Sequence, residues 1–418
     1  MYALVDANSF YCSAEQVFRP QWRGRPVIVL SNNDGMIVAA NRQAKALGVP
    51  KFQPFFKIQQ QCQQLGIIAC SSNYELYADL SAKMMQVIGQ FAPEQHIYSI
   101  DECFLRLHHC GHAIRDFNLH GQQLRRTVWQ TCRLPVCVGI APTLTLAKAA
   151  NHAAKKQPQY QGVCVLEQAS AYRHVLSHMA VEDVWGIGRR LAAKLKLLNI
   201  HNALALADYA PALAKRQFSV EVERCIRELN GQPCIAWQSN RADKQQIFST
   251  RSMGQRITDK TSLQQALSKH ASIAAYKARQ QHSACQLLMC FASNSAYDEH
   301  PVSFKRLLRF SQPCNDTQVI ISATRQLSHQ LYQDGVQYYK VGVGLLDLSS
   351  TTQQQLDWLS EPAGNPELMQ TLDTINQKYG TDTLFVAAQG IEQKWAMRRQ
   401  LLTPQYTTRW RDLPHIKC

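Results

Sequence analysis

Residues 97–105 read Ile97-Tyr98-Ser99-Ile100-Asp101-Glu102-Cys103-Phe104-Leu105, a strand-like apolar run with two adjacent acids at its middle. Successive strand residues point to opposite faces, so Asp101 and Glu102 share one site only where the chain turns or bulges. A third acid has the same kind of setting near the start of the chain, where the short apolar run Tyr2-Ala3-Leu4-Val5 leads straight into Asp6. Asp6, Asp101 and Glu102 together offer the hard oxygen ligands that a pair of divalent cations takes in phosphoryl transfer. The residues alone leave two accounts open: a two-metal site, or a turn cap at Asp6 with a solvated hairpin tip at Asp101-Glu102.

Outward from these acids, Val27 to Leu30 reads as another strand, followed by the turn-rich Ser31-Asn32-Asn33-Asp34-Gly35. A helical stretch is expected from Val38 to Leu47, stopping at Gly48. Residues 76–91 repeat apolar side chains at helical spacing until Pro93 breaks the pattern. Leu134 to Ile140 is again strand-like, and Pro142 opens a helix through Lys148 to about Lys156. Strands and helices alternate through this half, which predicts an α/β layer architecture. From Val181 the pattern turns helical, with Val184-Trp185-Gly186-Ile187-Gly188 ahead of Leu191, Leu195 and Leu198. Residues 238–262 are polar and charged and read as a linker into a new strand. At 418 residues the chain exceeds one core of about 100 to 200 residues, so roughly two to four domains are expected.

The charge is uneven. Lys and Arg outnumber Asp and Glu by 45 to 30, a formal +15, which is the footprint of a polyanion binder. Residues 239–345 hold 13 basic against 6 acidic residues, a net +7, whereas 349–418 balance at 7 and 7. The binding surface is therefore expected before residue 346. No apolar run approaches the roughly 20 residues of a membrane span, and no basic segment leads into a long apolar core near Met1, so a cytoplasmic protein with no membrane partner is expected. The 14 cysteines are scattered without a Cys-x-x-Cys pair and read as reduced, mostly buried thiols. His108-His109-Cys110 with His112 lacks a second ligand pair and reads as a polar turn rather than a zinc site.

Five segments carry more together than singly: Asp6-Ala7-Asn8-Ser9-Phe10-Tyr11; Asn41-Arg42-Gln43-Ala44-Lys45-Ala46-Leu47-Gly48-Val49; Ser72-Asn73-Tyr74-Glu75-Leu76-Tyr77-Ala78-Asp79; Tyr98-Ser99-Ile100-Asp101-Glu102; and Gly139-Ile140 with Leu146-Ala147-Lys148. In this order, over essentially the whole chain, they resemble the Y-family translesion DNA polymerases, and among them the UmuC-type catalytic subunit of bacterial DNA polymerase V. The resemblance implies an α/β (α+β) multidomain right hand. Its palm would be residues 1–9 and 73–164, its fingers 10–72, its helix-hairpin-helix thumb 165–237, its little finger 238–348 and its tail 349–418. It implies error-prone, template-directed DNA synthesis past lesions in the SOS response, by two-metal nucleotidyl transfer. Two Mg²⁺ ions, with Mn²⁺ as a substitute, would be held by Asp6, Ala7, Asp101 and Glu102.

Further roles follow position by position. Phe10, Tyr11, Arg42, Lys45 and Lys155 are the expected dNTP-binding residues. Tyr11 stands where the family carries an aromatic steric gate against a ribose 2′-hydroxyl; packing beside Phe10 is the plain alternative. Arg42 and Lys45, three apart on the expected helix, share a face and are candidates to clamp a triphosphate, or simply a solvated face. Lys155 would meet the same phosphates, with Lys156 competing for the register. Where thermostable relatives place a hydroxyl residue in the fingers helix, this chain has Ala39. Gly186-Ile187-Gly188 with Arg189 and Arg190 resembles a helix-hairpin-helix, whose backbone N–H groups grip a DNA phosphate; a helix-breaking turn is the alternative. Its closing Leu198-Asn199-Ile200 replaces the usual Leu-Gly-Ile, and Asn tolerates the left-handed conformation required there. Arg241, Lys244, Arg251, Arg256, Lys305, Arg306 and Arg309 fit a surface that follows the duplex backbone.

Gln355-Leu356-Asp357-Trp358-Leu359 resembles the Gln-Leu-x-Leu-Phe peptide that docks on the bacterial sliding clamp, departing at its last two positions. The stretch from Leu368 through Tyr406-Thr407-Thr408-Arg409 resembles the UmuC-type tail. The partners so implied are primer-template DNA, dNTPs, a processed UmuD-type dimer, the recombinase filament and the sliding clamp. Two other functions stay in view. A palm-fold nucleotidyl cyclase would need no DNA grip, and a catalytically silent DNA-binding adaptor would be marked by loss of the three acids.

Overall fold

The computed structural model describes residues 1–108, 110, 113–237, 243–352 and 364–413, and divides into two units, Met1–Arg241 with Gln400–Cys418 and Ala242–Arg399. The first unit begins β1 (Tyr2–Ala7), α1 (Phe10–Val17), β2 (Val27–Leu30), β3 (Ile37–Ala40), α2 (Arg42–Ala46), α3 (Gln59–Gln64), β4 (Ile68–Ser71) and α4 (Tyr74–Ile88). It continues through β5 (Glu94–Ile97), β6 (Glu102–Arg106), α5 (Phe117–Cys132), β7 (Val136–Ala141), α6 (Leu144–Lys156) and β8 (Val163–Val165). Helices α7 (Ala169–Ser177), α8 (Arg189–Leu197), α9 (Ala203–Ala207), α10 (Pro211–Gln217) and α11 (Val220–Leu229) follow.

All six residues of β1 are buried because it is the central strand of a five-stranded sheet ordered β5-β6-β1-β7-β8. Both faces are covered, and that is why Tyr2 to Val5 reads as an unbroken apolar run. A second sheet, β3-β2-β4, is built from residues between Val27 and Ser71. Here the structure corrects the expected helix over Val38 to Leu47. Ile37–Ala40 pairs antiparallel with β2, matching Val29 to Ala39, and the helix starts only at Arg42. Asn41 marks the change: its side chain accepts from the Ala44 N–H at 2.9 Å and caps α2. Ala39 therefore lies on a strand. Similarly, Thr143 rather than Pro142 caps α6, accepting from the Leu146 N–H at 3.2 Å.

Helix α6 rides unusually close to the sheet. A Cβ on Gly139 of β7 would stand 2.1 Å from the Asn151 backbone nitrogen and 2.4 Å from the Ala147 carbonyl oxygen. Only glycine leaves room for that approach, and the facing helix positions Ala147, Ala150 and Ala154 are correspondingly small and buried. Asn151 then fastens helix to sheet, its buried Nδ2 donating to the Leu4 carbonyl at 3.3 Å and the Cys137 carbonyl at 2.8 Å. At the other end, the buried Glu228 carboxylate of α11 accepts from the Thr145 N–H at 3.0 Å and from Cys234 and Ile235, tying the helical segment to the start of α6.

The second unit contains β9 (Ile247–Ile257), α12 (Lys260–Gln280), β10 (Ser283–Ser293), β11 (Ser303–Cys314), α13 (Thr317–Leu331), β12 (Tyr338–Ser350) and α14 (Pro366–Tyr379). Its antiparallel sheet runs β11-β10-β12-β9, with α12 and α13 packed against it through a core that includes Leu263, Leu267, Ile320 and Leu327. Most of the stretch read as a linker over 238–262 is thus ordered structure. β9 is an edge strand, where Arg251 and Arg256 stay exposed while Ile247, Ser249 and Met253 turn inward. Edge strands commonly carry charge, which masked the alternation in the sequence. The segment after β12 does not stand apart as a tail: Asp373 of α14 forms a two-pronged pair with Arg279 of α12, both contacts at 2.7 Å, and the chain rejoins the first unit at Gln400. The clamp-like Gln355 to Leu359, along with Arg241, His109 and His112, lies outside the described residues.

Among the described residues every cysteine is a free thiol, buried except at Cys110 and Cys234, and no helix is long and apolar enough to cross a membrane. Gly139→Ala should cost about 1 to 3 kcal/mol, the range for forced overpacking, and lower the denaturation midpoint without changing the slope of the transition.

Candidate active site

The two acids at the middle of the opening stretch fall at a hairpin. Between β5 and β6 the chain turns over Tyr98 to Asp101, closed by the Tyr98 and Ser99 N–H groups donating to the Glu102 carbonyl at 3.1 and 3.0 Å. Ser99 organises the turn. Its hydroxyl oxygen accepts from the Asp101 and Glu102 N–H groups and donates to the Asp101 carboxylate at 2.6 Å. The turn that the neighbouring acids require is present. Antiparallel pairing of β1 with β6 sets Asp6 directly across from Glu102, and the Ala7 N–H donates to the Asp101 carbonyl at 2.9 Å. Directly opposed strand residues hold their Cβ atoms about 4.5 to 5.5 Å apart, so the two carboxylates are neighbours.

Helix α6 answers with two ammonium groups. Lys155 meets Asp6 at 2.5 Å and Lys148 meets Glu102 at 2.9 Å. The two lysines lie seven residues apart, two turns along one helix face. Lys156 pairs instead with Asp183, at 3.0 Å, although it too lines the cleft described below. Burial pushes the Asp6 carboxyl up to about 7, with Glu102 adding to the rise and Lys155 opposing it. Burial also acts to raise Glu102, but its hydrogen bond with Asp6 and the Lys148 ammonium outweigh that and hold it below the ordinary value. Among the described residues no three His, Cys, Asp or Glu side chains stand close enough to hold one metal ion. Asp6 and Glu102 are brought together, while the Asp101 carboxylate is engaged by Ser99.

Asp6 and Asp101 line an open cleft of about 1020 Å³ with Tyr11, Arg42, Lys45 and Lys155, and with the Ala7 and Phe10 of the expected set. Lys45 and Arg42 are exposed on α2, while Phe10 is buried in the core. Tyr11 is half-buried. It stacks on Tyr77 with ring centroids 4.7 Å apart and meets Tyr74 edge-on at 6.2 Å. Tyr11 thus packs on the core and also faces the cleft.

Lys148 was quoted above only as part of a motif, yet besides Glu102 its ammonium faces the rings of Tyr98, Trp185 and Phe104, at 4.4, 5.3 and 5.8 Å. The seven-residue spacing to Lys155 was the available signal. Ser99 carried none, since its role depends on the turn.

Elsewhere in the first unit, Gly186 has φ +87° and Gly188 precedes α8 as its cap, both exposed with open space where a Cβ would sit. Ile187 between them is buried, so the loop is anchored while its backbone faces out. Arg189 is exposed at the start of α8. Asn199 adopts φ +60°, the left-handed conformation expected of it, although Leu198 is half-exposed rather than a core leucine. In the second unit Lys244, Arg251 and Lys305 are exposed, whereas Arg256 is gripped by Asp298 at 2.5 and 2.7 Å and Arg309 pairs with Asp347 at 2.9 Å.

Comparison with known proteins bears on this geometry. Residues 5–152 match the impB/mucB/samB family, 170–200 that family's helix-hairpin-helix motif, and 244–358 its C-terminal domain. Residues 366–416 match a domain of unknown function. Protein UmuC of Salmonella typhimurium is 42% identical over 423 residues, covering 100% of both chains, and Protein ImpB of the same organism is 41% identical over 99% of both. The chain belongs to the UmuC-type impB/mucB/samB family of Y-family DNA polymerases. A solved Y-family DNA polymerase chimera shares the fold, with a TM-score of 0.64 at 19% identity over 84% of this chain and 99% of that one. As a family member the chain is a DNA-directed DNA polymerase of the error-prone, translesion kind.

Removing Lys148 would leave Glu102 beside Asp6 without its largest countercharge. In the absence of divalent cations, a double-mutant cycle between Lys148→Met and Glu102→Gln, read by chemical denaturation, should give a coupling of about 1 to 3 kcal/mol.

Proposed function

We propose that nucleotidyl transfer takes place in the cleft lined by Asp6 and Asp101, with a primer 3′-hydroxyl attacking the α-phosphate of a dNTP and pyrophosphate leaving. The observation that carries this reading is the company these acids keep: Tyr11, Arg42, Lys45 and Lys155 open into the same cleft. The donor set suits Mg²⁺, and equally Mn²⁺, because hard carboxylates sit on paired strands and one of them is buried enough to raise its pKa to about 7, a site that gains from added positive charge. Asp6, Asp101, Glu102 and the Ala7 carbonyl are the groups that would hold two ions. Bound there, such ions lower the pKa of the attacking hydroxyl and neutralise the leaving pyrophosphate.

The chain's own residues do the rest. Lys155, with Arg42 and Lys45, receives the triphosphate, and Lys155 exchanges its bond to Asp6 for phosphate oxygen as the substrate enters. Tyr11, backed by Tyr77, excludes a ribose 2′-hydroxyl. Phe10 supports it from the core. The exposed backbone at Gly186 and Gly188 with Arg189 takes a DNA phosphate, and Lys244, Arg251 and Arg256 follow the duplex backbone without reading sequence. In these terms residues 1–9 and 73–164 form the palm, 10–72 the fingers, 165–237 the thumb and 238–348 the little finger. Gln355 to Leu359 is assigned to the sliding clamp. A processed UmuD-type dimer and the recombinase filament are the expected accessory partners, in the cytoplasm.

Primer extension past an abasic site, with Mg²⁺ and the accessory proteins supplied, tests the assignment. Wild type should extend past the lesion, and Asp101→Asn should lose at least about a hundredfold in rate, as expected when a transition-state electrostatic contact is removed. Equal extension by both would take Asp101 out of the site.

A further inference from the structure

The C-terminal segment after Arg399 returns to the first unit at a specific place. Ser71 and Leu401 bond both ways, the Ser71 N–H donating to the Leu401 carbonyl at 3.0 Å and the Leu401 N–H donating to the Ser71 hydroxyl oxygen at 2.9 Å. The buried Asn73, which caps α4, donates through Nδ2 to the Thr403 carbonyl and Oγ1 and to the Pro404 carbonyl at 3.1, 3.0 and 3.2 Å. Tyr406 stacks on Phe18 at 4.7 Å and its hydroxyl accepts from Arg19 Nε at 3.0 Å. Residues 401–406 therefore grip both the start of α4 and the end of α1.

Those two helices carry the aromatic layer at the cleft. α4 supplies Tyr74 and Tyr77, and α1 supplies Tyr11. The link between them is Glu15, a carboxylate buried in α1 whose Oε1 accepts from the Tyr77 hydroxyl at 2.6 Å. Its Oε2 is buried with no donor at full hydrogen-bond geometry, and the neighbouring hydroxyl that acts to stabilise its charge, after Tyr77, is that of Thr403. Thr403 Oγ1 already accepts from Asn73, so its own hydrogen remains to be given, and the Glu15 carboxylate is the nearby buried acceptor with an oxygen still unfilled. A buried carboxylate with one partner is poorly held, and a second donor fixes it.

We propose that residues 401–406 are a positioning strap for sugar selection, in which Thr403 holds Glu15, Glu15 holds Tyr77, and Tyr77 sets the depth of the Tyr11 ring in the cleft. Thr403 is a positioning residue and touches no substrate. The inference rests on the reading of Tyr11 as the steric gate, and its test separates the two.

The full chain with its accessory proteins is assayed for single-nucleotide insertion of a dNTP and the matching rNTP opposite an undamaged base. Wild type is compared with Thr403→Val, Thr403→Ser, Tyr406→Phe and Tyr11→Ala. Thr403→Val, which keeps the shape and drops the hydroxyl, should raise the rNTP-to-dNTP ratio of kcat/KM about fivefold, the worth of one ordinary hydrogen bond. The rise should enter through a lower KM for the rNTP, with kcat for the dNTP little changed, and Thr403→Ser should restore the wild-type ratio. Tyr406→Phe, which loses only the Arg19 bond, should shift the ratio the same way by less and stands in if Thr403→Val does not fold. Tyr11→Ala should raise it further than either. If Tyr11→Ala raises the ratio and the folded strap variants leave it at wild type, or lower insertion of both sugars in proportion, the strap has no part in selection. An unchanged ratio in Tyr11→Ala removes the steric-gate reading itself, and the strap's role with it.

Discussion

Everything at the cleft depends on how near α6 comes to β7. At Gly139 the helix backbone lies where a methyl group would be, and Asn151 spends both amide hydrogens on sheet carbonyls beneath it. That approach is what lets Lys148 and Lys155 span the short distance to Glu102 and Asp6. A helix lifted by the thickness of an ordinary side-chain layer would leave both ammonium groups in solvent and two neighbouring carboxylates on the sheet without countercharge. The small residues of α6 are thus an electrostatic requirement as much as a packing one.

The same arrangement explains why this pair of acids is tolerated in a folded protein. Two carboxylates on opposed strand positions repel, and the chain offsets that with cations on a separate element, of which Lys155 also lines the cleft. Cations of this kind balance the acids in the resting protein, and under the proposed function Lys155 exchanges that role for phosphate oxygens. The excess of positive charge in the chain as a whole is consistent with that local economy.

Much of this was legible beforehand, and the parts that were not share a cause. Strand β1, the helix over α6 and the left-handed Asn199 follow from local rules of periodicity, burial and backbone preference, whereas the three acids stood out only as carboxylates in apolar settings and their joint role was implied by the resemblance. Ile37–Ala40 was misread as helix because its strand character comes from pairing with the preceding strand β2, while its own short apolar run leads through Asn41 straight into α2. β9 was misread as linker because an edge strand exposes its charged residues and hides its alternation. Likewise the turn at Asp101 and Glu102 is organised by Ser99, an unremarkable residue until the hairpin exists. The attachment of residues 401–406 joins positions about 330 apart, as from Asn73 to Thr403, and no pattern within either segment announces it. Contacts of that range are invisible to any reading that works along the chain.

That long-range attachment bears on how the protein is made. At a ribosomal rate of about 5 to 20 residues per second, the layer of Tyr11, Tyr74 and Tyr77 emerges roughly twenty seconds to a minute before Thr403 is added. Through that interval the nascent chain has its acids, its lysines and its cleft, but Asn73 still lacks the partners that Thr403 and Pro404 bring. Support for the tyrosine layer thereby waits on a segment made long after the layer itself, and a message cut short before Thr403 yields a chain in which that support is missing.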